Sequence, residues 1–336
     1  MRIDKDKRWM HQALLVARRG IGNTAENPAV GCVITDQSGQ LIATGHTASG
    51  GRPHAETQAL KMAGEGAKGA TAYVTLEPCA HHGKTSPCAQ SLLDTGVARV
   101  VIAATDPDPR VSGKGIDMLR AGGIEVTTGV LQQEAEYQLR GFFSRVKRGR
   151  PHVILKLAIS SDGKIAAAPG KQTVITGPEF KARTHLLRAS ADAILVGAGT
   201  ARTDNPSLTC RLPGMAHLSP KRVIVGGGDD LHIPEPAIHF KGLVDFDESL
   251  QQLGRKGINL LLVEGGAKVA ASLLVADLVD EIILATAPLI IGSQGVDALD
   301  DLPLTKITAN DHFVLKEQEK LGVDVISHYL RKKRTI

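Results

Sequence analysis

Hydrophobic and polar positions alternate between helical and strand-like spacing through the first part of the chain. Apolar residues recur at helical intervals over 4–19, 54–64, 88–93, 114–121 and 132–143. Short apolar runs with turn-forming neighbours indicate strands at 30–35, 41–44, 72–76, 97–104 and 124–128. Strands separated by helices of this length favour a mainly parallel sheet with helices on both faces. The pattern therefore predicts an α/β fold, a three-layer α/β/α domain.

A basic segment with a glycine and a proline, 145–151, interrupts this alternation and is the predicted linker between domains at 1–146 and 151–336. After it, strands are predicted at 152–158, 193–196, 222–225, 259–263, 281–285, 313–317 and 324–329. Helices are predicted at 178–188, 248–253 and 267–276. The last strands follow one another without an intervening helix, which predicts an antiparallel edge on an otherwise parallel sheet.

Composition narrows the class of protein. A length of 336 residues is sufficient for two domains, and the apolar runs are far shorter than the roughly 20 residues that span a bilayer. The charged N-terminus does not resemble a signal sequence, so we expect a cytoplasmic protein. The net charge of +5 is spread along the chain and aromatic residues make up only 3%. A surface for stacking nucleic-acid bases is therefore not expected, and phosphorylated small molecules fit a mildly basic enzyme equally well.

The strongest chemical signal is His54-Ala55-Glu56 followed by Cys79 and Cys88. One imidazole and two thiolates give zinc three protein ligands and leave a fourth position for water, as in catalytic zinc sites. Zinc lowers the pKa of that water toward about 7. Glu56 stands two residues from the histidine ligand and can carry protons to a departing amine. This arrangement is typical of zinc-dependent deaminases that act on amino-substituted nitrogen rings.

Two other interpretations of these residues remain open. Eight residues separate Cys79 from Cys88, where zinc deaminases commonly have two. His81 or His82 within this insertion could complete a closed, structural zinc site with four protein ligands. Alternatively, the cysteines could be buried and hold no metal.

The insertion also carries a resemblance to a known family. Residues 75–85, Thr-Leu-Glu-Pro-Cys-Ala-His-His-Gly-Lys-Thr, resemble the bifunctional riboflavin-biosynthesis deaminase–reductases, as do Asn27-Pro28-Ala29-Val30-Gly31 and Asp106-Pro107-Asp108-Pro109. Asp108 and Ser86 stand where the family usually has Asn and Pro. The resemblance implies a cytidine-deaminase-like first domain in which Asn27, His81 and Lys84 contact the substrate.

In the second half, the strand at 259–263 runs into Glu264-Gly265-Gly266 and then a helix, a turn that can present backbone N–H groups to a dinucleotide diphosphate. By itself this is a weak signal, because a tight strand–helix turn has the same appearance and the full G-x-G-x-x-G pattern is missing. Gly226-Gly227-Gly228 could also approach a phosphate, although such runs are more often loops.

The resemblance extends into this half through 156–164, 175–177, 195–200, 204–211 and 263–266. It implies a dihydrofolate-reductase-like domain that uses NADPH. The residues then expected to contact the cofactor are Ala158, Val174, Thr200, Asp204, Gly266, Ala267, Lys268, Val269, Ala270, Ala271 and Ser272. Those expected around the ribosyl substrate are Lys156, Gln172, Arg188, Leu208, Arg211 and Glu264. Val174 and Gln172 replace the usual Trp and Ser of the family.

The leading hypothesis is a two-step enzyme. The first domain would deaminate 2,5-diamino-6-ribosylamino-4(3H)-pyrimidinone 5′-phosphate with Zn²⁺, and the second would reduce its ribosyl group to ribityl with NADPH. The resemblance supplies this substrate and implies a homo-oligomer; the spacing supplies only the deaminase chemistry. One alternative is an RNA or nucleoside deaminase fused to a nucleotide-binding domain. Another is a zinc-stabilised regulatory protein without turnover.

Overall fold

A computed structural model of the chain describes residues 2–81, 86–228, 231 and 235–332. Two compact units divide it, Met1–Arg148 and Gly149–Ile336. Within the described residues, every helix is too short or too polar to cross a membrane.

The described residues of the first unit form six α-helices: α1 Arg2–Ala17, α2 Ala55–Ala63, α3 Cys88–Asp94, α4 Lys114–Ala121, α5 Gln132–Gln138 and α6 Arg140–Arg148. Its five strands are β1 Gly31–Thr35, β2 Leu41–His46, β3 Thr71–Leu76, β4 Arg99–Ala104 and β5 Glu125–Thr128. They form one sheet in the order β2-β1-β3-β4-β5. Pairing is parallel among β3, β4 and β5, whereas β1 is antiparallel to both its neighbours. The expectation of a mainly parallel sheet is therefore wrong for β1 and β2.

Two glycines show that helices cover both faces of this sheet. A Cβ added to Gly31 would lie 2.0 Å from the carbonyl oxygen of Ala13 in α1, and one added to Gly45 would lie 2.1 Å from that of Ala55 in α2. Gly45 pairs with Cys32, the residue after Gly31, and successive residues of a strand face opposite sides. The two helices therefore lie on opposite faces, which confirms the three-layer prediction.

The second unit contains the helices α7 Pro178–Ser190, α8 Ala198–Asp204, α9 Phe246–Arg255, α10 Ala267–Val275 and α11 Thr305–Thr308. Its strands are β6 His152–Ile159, β7 Lys164–Ala166, β8 Ala193–Gly197, β9 Lys221–Val225, β10 Ala237–Phe240, β11 Leu260–Val263, β12 Glu281–Thr286, β13 Val296–Asp297, β14 Phe313–Leu321 and β15 Asp324–Arg331. Eight of them form a sheet in the order β10-β9-β8-β11-β6-β12-β15-β14.

The strands of this sheet are parallel from β10 to β12, and β15 and β14 add an antiparallel edge. The antiparallel edge predicted for the last strands is thus confirmed. Apolar side chains cover both faces, because one buried cluster contains Val153 and Leu155 of β6 and another contains Ile154. A fully covered parallel sheet leaves the carboxyl ends of its strands as the place where ligands collect.

The helices at the end of the first unit differ from the sequence prediction in two details. The helix predicted over 132–143 is divided at Leu139 into α5 and α6. Helix α6 then continues to Arg148, so the first four residues of the predicted linker are helical. Phe142 and Phe143 of α6 pack partly against the core of the first unit, as does Val130 before α5. This packing holds α6 against the unit, so that the helix continues through the basic residues 145–148.

Candidate active sites

The three predicted zinc ligands come together in the first unit. His54 is the residue before α2, Cys79 lies three residues beyond the end of β3, and Cys88 is the first residue of α3. His54 Nδ1 is 3.7 Å from Cys79 Sγ and 3.4 Å from Cys88 Sγ. The three ligand atoms all lie within 4.8 Å of one another.

These separations fit zinc. Bond lengths of about 2.3 Å to sulfur and 2.05 Å to nitrogen at a tetrahedral angle require about 3.6 Å between nitrogen and sulfur. Within the described part of the chain, no further His, Cys, Asp or Glu joins the group. His81 is exposed and is not its fourth ligand, while His82 lies outside the described residues. The described donor set is that of a metal site with an open position.

Hydrogen bonds inside the group favour a thiolate on Cys79. The Cys88 thiol, the imidazole of His54 and the backbone N–H of Cys88, 3.3 Å from Cys79 Sγ, together lower the pKa of Cys79 to about 4. The same contact with Cys79, together with burial, raises the pKa of Cys88. Hydrogen bonding to Cys79 also raises the pKa of His54. Negative charge is therefore concentrated where a cation would bind.

Glu56 lies in the first turn of α2, with 4% of its surface exposed. Burial raises its pKa to about 7, and the Cys79 thiolate acts in the same direction while His54 opposes both. A carboxyl group that exchanges its proton near neutral pH is suited to general acid–base catalysis. Cys32, buried in β1, is close enough for the charge of Glu56 to raise the pKa of its thiol.

The predicted substrate contacts of this unit differ in their exposure and surroundings. Asn27 is half-buried, and a Cβ added to Gly51 would lie 2.1 Å from its side-chain amide. Gly51 has φ +89° and stands three residues before His54, so Asn27 is held beside the histidine segment. His81 is exposed, and its positive charge acts on the carboxyl groups of Asp106 and Asp108. Lys84 lies outside the described residues.

The sequence prediction gave no role to Glu77, which is buried between β3 and Cys79. Its carboxylate accepts hydrogen bonds from four backbone N–H groups in 106–116. The available signal was a carboxylate placed directly after a buried strand and before a metal ligand.

In the second unit, Lys156 of β6, Arg188 of α7 and Glu264 after β11 form one charged cluster. Arg188 Nε and Nη2 donate to the two carboxylate oxygens of Glu264 at 2.7 and 2.9 Å. Lys156 Nζ lies 3.7 Å from Glu264 Oε2. Burial opposes ionisation of Glu264, but Lys156 and Arg188 outweigh it and lower the pKa of this carboxyl group. The cluster lies at the carboxyl end of the parallel strands, as predicted for a site in this sheet.

Arg188 also donates through Nη1 to the carbonyl oxygen of Thr209 at 3.2 Å, so its guanidinium is largely engaged. Arg211 is exposed, and its backbone N–H donates to His185 Nδ1. Leu208 is buried with φ +54°. The segment before Cys210 therefore turns sharply beside Arg188 and presents the side chain of Arg211 to solvent.

Glycine turns follow two of the parallel strands, β9 and β11, which lie on either side of β8. A Cβ added to Gly227 would lie 2.9 Å from Ala198 Cβ, and one added to Gly265 would lie 2.8 Å from the side chain of Val269. At Gly266 it would lie 3.2 Å from Thr200 Oγ1, which places Thr200 against the start of α10. The first N–H groups of a helix have no acceptors within the helix. Glycines at such a helix N-terminus let the backbone come close to a dinucleotide diphosphate, which these N–H groups can bind. The residues present therefore fit NADPH.

The remaining predicted contacts vary in exposure. Ala158 lies on β6 and is half-buried, and burial raises the pKa of Asp204 at the end of α8. Gln172 is exposed, and the side chain of Val174 is 87% exposed. The segment that carries these two family differences is thus open to solvent in this structure.

Two family models match the chain. The model for the cytidine and deoxycytidylate deaminase zinc-binding region matches residues 3–104. The model for the RibD C-terminal domain matches residues 151–327. Each match falls within one of the two compact units.

Full-length relatives carry both parts. The chain is 38% identical to the riboflavin biosynthesis protein RibD of Escherichia coli K12, over 96% of this chain and 99% of the relative. It is 39% identical to the protein of the same name from Haemophilus influenzae, over 96% and 97%.

Solved structures agree along the whole chain. RibD of Acinetobacter baumannii has a TM-score of 0.90 at 34% identity and covers 98% of this chain and 100% of its own. A diaminohydroxyphosphoribosylaminopyrimidine deaminase/5-amino-6-(5-phosphoribosylamino)uracil reductase from Thermotoga maritima has a TM-score of 0.87 at 33% identity, with coverage of 99% and 100%.

Proposed function

Because this chain belongs to the RibD family of riboflavin-biosynthesis enzymes, we propose an assignment of its two reactions to particular residues. The protein is a bifunctional enzyme, a zinc-dependent deaminase joined to an NADPH-dependent reductase. It deaminates 2,5-diamino-6-ribosylamino-4(3H)-pyrimidinone 5′-phosphate and then reduces the ribosyl group to ribityl.

The observation that carries the deaminase assignment is the position of His54 Nδ1, Cys79 Sγ and Cys88 Sγ at tetrahedral zinc spacing beside buried Glu56. When bound, zinc supplies a water of lowered pKa as the nucleophile. Glu56 takes a proton from this water as the water oxygen adds to the amino-bearing ring carbon. The same carboxyl group then gives a proton to the amine, so that ammonia leaves.

We assign the reductase chemistry to the cluster of Lys156, Glu264 and Arg188. NADPH supplies hydride to the ribose C1′. For this carbon to accept it, the bond from C1′ to the ring oxygen must break, and we assign the proton that this oxygen receives to Lys156 Nζ. Glu264 Oε2 lies 3.7 Å from Lys156 Nζ, and Arg188 fixes both oxygens of Glu264.

Substrate contacts follow from exposure and charge. Asn27, held beside the histidine segment, is assigned to the ring, and exposed His81 to the substrate pocket of the deaminase. Lys84, which lies outside the described residues, is assigned near the ribose phosphate from the family resemblance alone. In the reductase site, Arg211 is the main phosphate ligand, because Glu264 and Thr209 already engage Arg188. Gln172 and Leu208 border the substrate. The cofactor contacts are Ala158, Val174, Thr200, Asp204, Gly266, Ala267, Lys268, Val269, Ala270, Ala271 and Ser272.

The alternatives are not favoured. An RNA or nucleoside deaminase has no use for a second unit that matches the RibD C-terminal domain over 151–327. A closed zinc site in a regulatory protein would leave buried Glu56 without a role beside the metal ligands.

We also propose that copies of the chain associate and that the enzyme works in the cytoplasm. Val314 and Leu315 on β14, at the edge of the large sheet, are both nearly half exposed. Val323, in the turn after β14, is 60% exposed, and Val325 on β15 is 38% exposed. An edge strand with apolar side chains is suited to contact with a second copy. The cysteines are free, and thiolate ligands and NADPH suit a reducing compartment.

One assay tests the two reactions and their order. The zinc-loaded enzyme is given the diaminopyrimidine ribosyl phosphate, first without NADPH and then with it. Ammonia release is expected before NADPH is added, and NADPH oxidation afterwards. Oxidation that precedes ammonia release would reverse the proposed order, and release from cytidine or RNA in place of this substrate would support the alternative deaminase.

A further inference from the structure

Glu77 binds the backbone at four points. Its Oε2 accepts hydrogen bonds from the N–H groups of Asp106 at 3.2 Å and Gly113 at 3.1 Å. Its Oε1 accepts from Gly115 at 2.9 Å and Ile116 at 3.4 Å, in the first turn of α4. The side chain is buried, with 4% of the residue exposed.

This carboxylate closes the loop between β4 and α4 at both ends. One carboxylate oxygen, Oε2, accepts hydrogen bonds from the N–H of Asp106, where the loop begins, and from the N–H of Gly113, where the loop meets α4. The backbone N–H of Glu77 donates to the carbonyl oxygen of Ala104, the last residue of β4. A Cβ added to Gly115 would lie 2.0 Å from the carbonyl oxygen of Pro78, so α4 is in direct contact with the segment that leads to Cys79. We name residues 106–113 the clamped loop.

The clamped loop borders the deaminase site. Glu77, which holds the loop at Asp106 and Gly113, stands two residues before the metal ligand Cys79, and Gly115 packs against Pro78, the residue between them. Cys79 has separate supports: Cys88 N–H donates to its sulfur, and Ala89 N–H donates to its carbonyl oxygen. Loss of Glu77 would therefore release the loop while the metal ligands keep their own contacts.

We propose that Glu77 is a positioning residue of the deaminase, which holds the clamped loop as a wall of the substrate site. The proposal rests on the proposed function of this unit. Glu77 acts on substrate binding through the loop and takes no proton in the reaction. Each carboxylate oxygen accepts two backbone N–H groups, an arrangement that requires an acceptor at both oxygens.

The test is Glu77→Gln, which keeps the size of the side chain and turns one acceptor into a donor. We expect KM for ammonia release to rise at least about tenfold, with a smaller change in kcat and bound zinc retained. NADPH oxidation with the deaminated substrate should be unchanged, as an internal control. Amide hydrogen exchange at Asp106, Gly113, Gly115 and Ile116 should become faster.

Two further variants separate positioning from general damage. Gly115→Ala leaves the carboxylate intact but pushes α4 away from Pro78, and it should raise the same KM. Asp6→Asn removes another buried carboxylate of this unit, which pairs with Arg99 at the opposite end of β4, and it should leave this KM unchanged.

Three outcomes would overturn the proposal: an unchanged KM in both Glu77→Gln and Gly115→Ala, unchanged exchange at the four amides, or loss of zinc with the loop still protected. If the wild-type enzyme releases no ammonia, the function of the unit is wrong. Hydrogen exchange then still decides whether Glu77 holds the loop.

Discussion

The two sites of this enzyme are built in different ways. In the deaminase unit, the ligand atoms of His54, Cys79 and Cys88 already lie within 4.8 Å of one another, and Cys88 and Glu56 are buried. In the reductase unit, the predicted contacts are spread over the ends of several strands and over glycine turns, and the side chain of Val174 is exposed. A metal fixes the distances between its ligands, so side chains must be placed in advance. A dinucleotide is large, and backbone and surface can share the task of binding it.

The largest expected effect separates the two sites completely. Glu56→Ala should lower kcat for ammonia release by about 10²–10⁴-fold, because no other group is assigned to carry the proton. NADPH oxidation with the deaminated substrate should remain at the wild-type rate. Zinc content measured on the same sample should stay the same. Ammonia release at the normal rate would remove Glu56 from the mechanism and weaken the contrast.

A second substitution tests the charged cluster of the reductase. Glu264→Gln should lower kcat/KM for NADPH oxidation by about 10²-fold, because Lys156 and Arg188 lose the buried charge they pair with. Ammonia release should not change. Glu281→Gln is the matched control, a buried glutamate that contacts His152 and His328 where β6 and β12 begin. If the control slows NADPH oxidation equally, the effect belongs to the fold of the unit.

The glycine turns predict a smaller effect on cofactor binding. Gly265→Ala places a methyl group 2.8 Å from Val269 and should displace the first turn of α10. An overpacking cost of about 1.4 kcal/mol, within the usual range for such substitutions, corresponds to roughly a tenfold rise in Kd for NADPH. Stopped-flow binding of NADPH measures this directly. Adding Val269→Ala should restore part of the affinity, and if it does not, steric displacement of α10 is the wrong explanation.

The smallest effect concerns the stability of the first unit in acid. Arg99 binds Asp6 through two hydrogen bonds of 2.8 and 2.7 Å. Burial opposes ionisation, but Arg99 outweighs it and lowers the pKa of Asp6. A carboxyl group with a lowered pKa stabilises the fold above its unfolded value of about 3.9, and this stabilisation is lost as the pH falls through the folded value. Asp6→Asn should therefore flatten the fall in unfolding free energy below about pH 4.

Trp9, the single tryptophan of the chain, lies on the same helix as Asp6 and reports this unfolding by its fluorescence. An equal slope in the wild type and in Asp6→Asn would assign the acid sensitivity to other carboxyl groups.

Local sequence patterns predicted most elements of the fold, and they predicted the metal ligands. Helix α4 begins and ends where the spacing predicts, and His54, Cys79 and Cys88 meet as their residue types indicate. These signals are local, since each ligand stands at the end of an amphipathic or apolar segment. The break at Leu139 was not predicted, although Gly141 follows two residues later; Leu139 is itself buried in the core of the unit.

Long-range contacts account for what the sequence did not predict. Glu77 takes its partners from residues 29 to 39 positions further along the chain, and no periodicity records such a pairing. The engagement of Arg188 by Glu264 spans 76 positions, and the resemblance implied that both residues surround the ribosyl substrate without implying that they pair. The edge strands β10 and β13 were also missed, because their four and two residues are too few to establish a pattern.

The contact at Gly45 has a consequence for how this enzyme can vary. The strand leaves room for a single hydrogen atom beneath the carbonyl oxygen of Ala55, the residue between His54 and Glu56. Any side chain there would lift the start of α2 and carry the imidazole and the carboxylate away together. Gly45, which is not assigned to the metal or to the substrate, thus sets the distance of His54 and Glu56 from the sheet. Selection for catalysis would therefore act on a residue that has no reactive side chain.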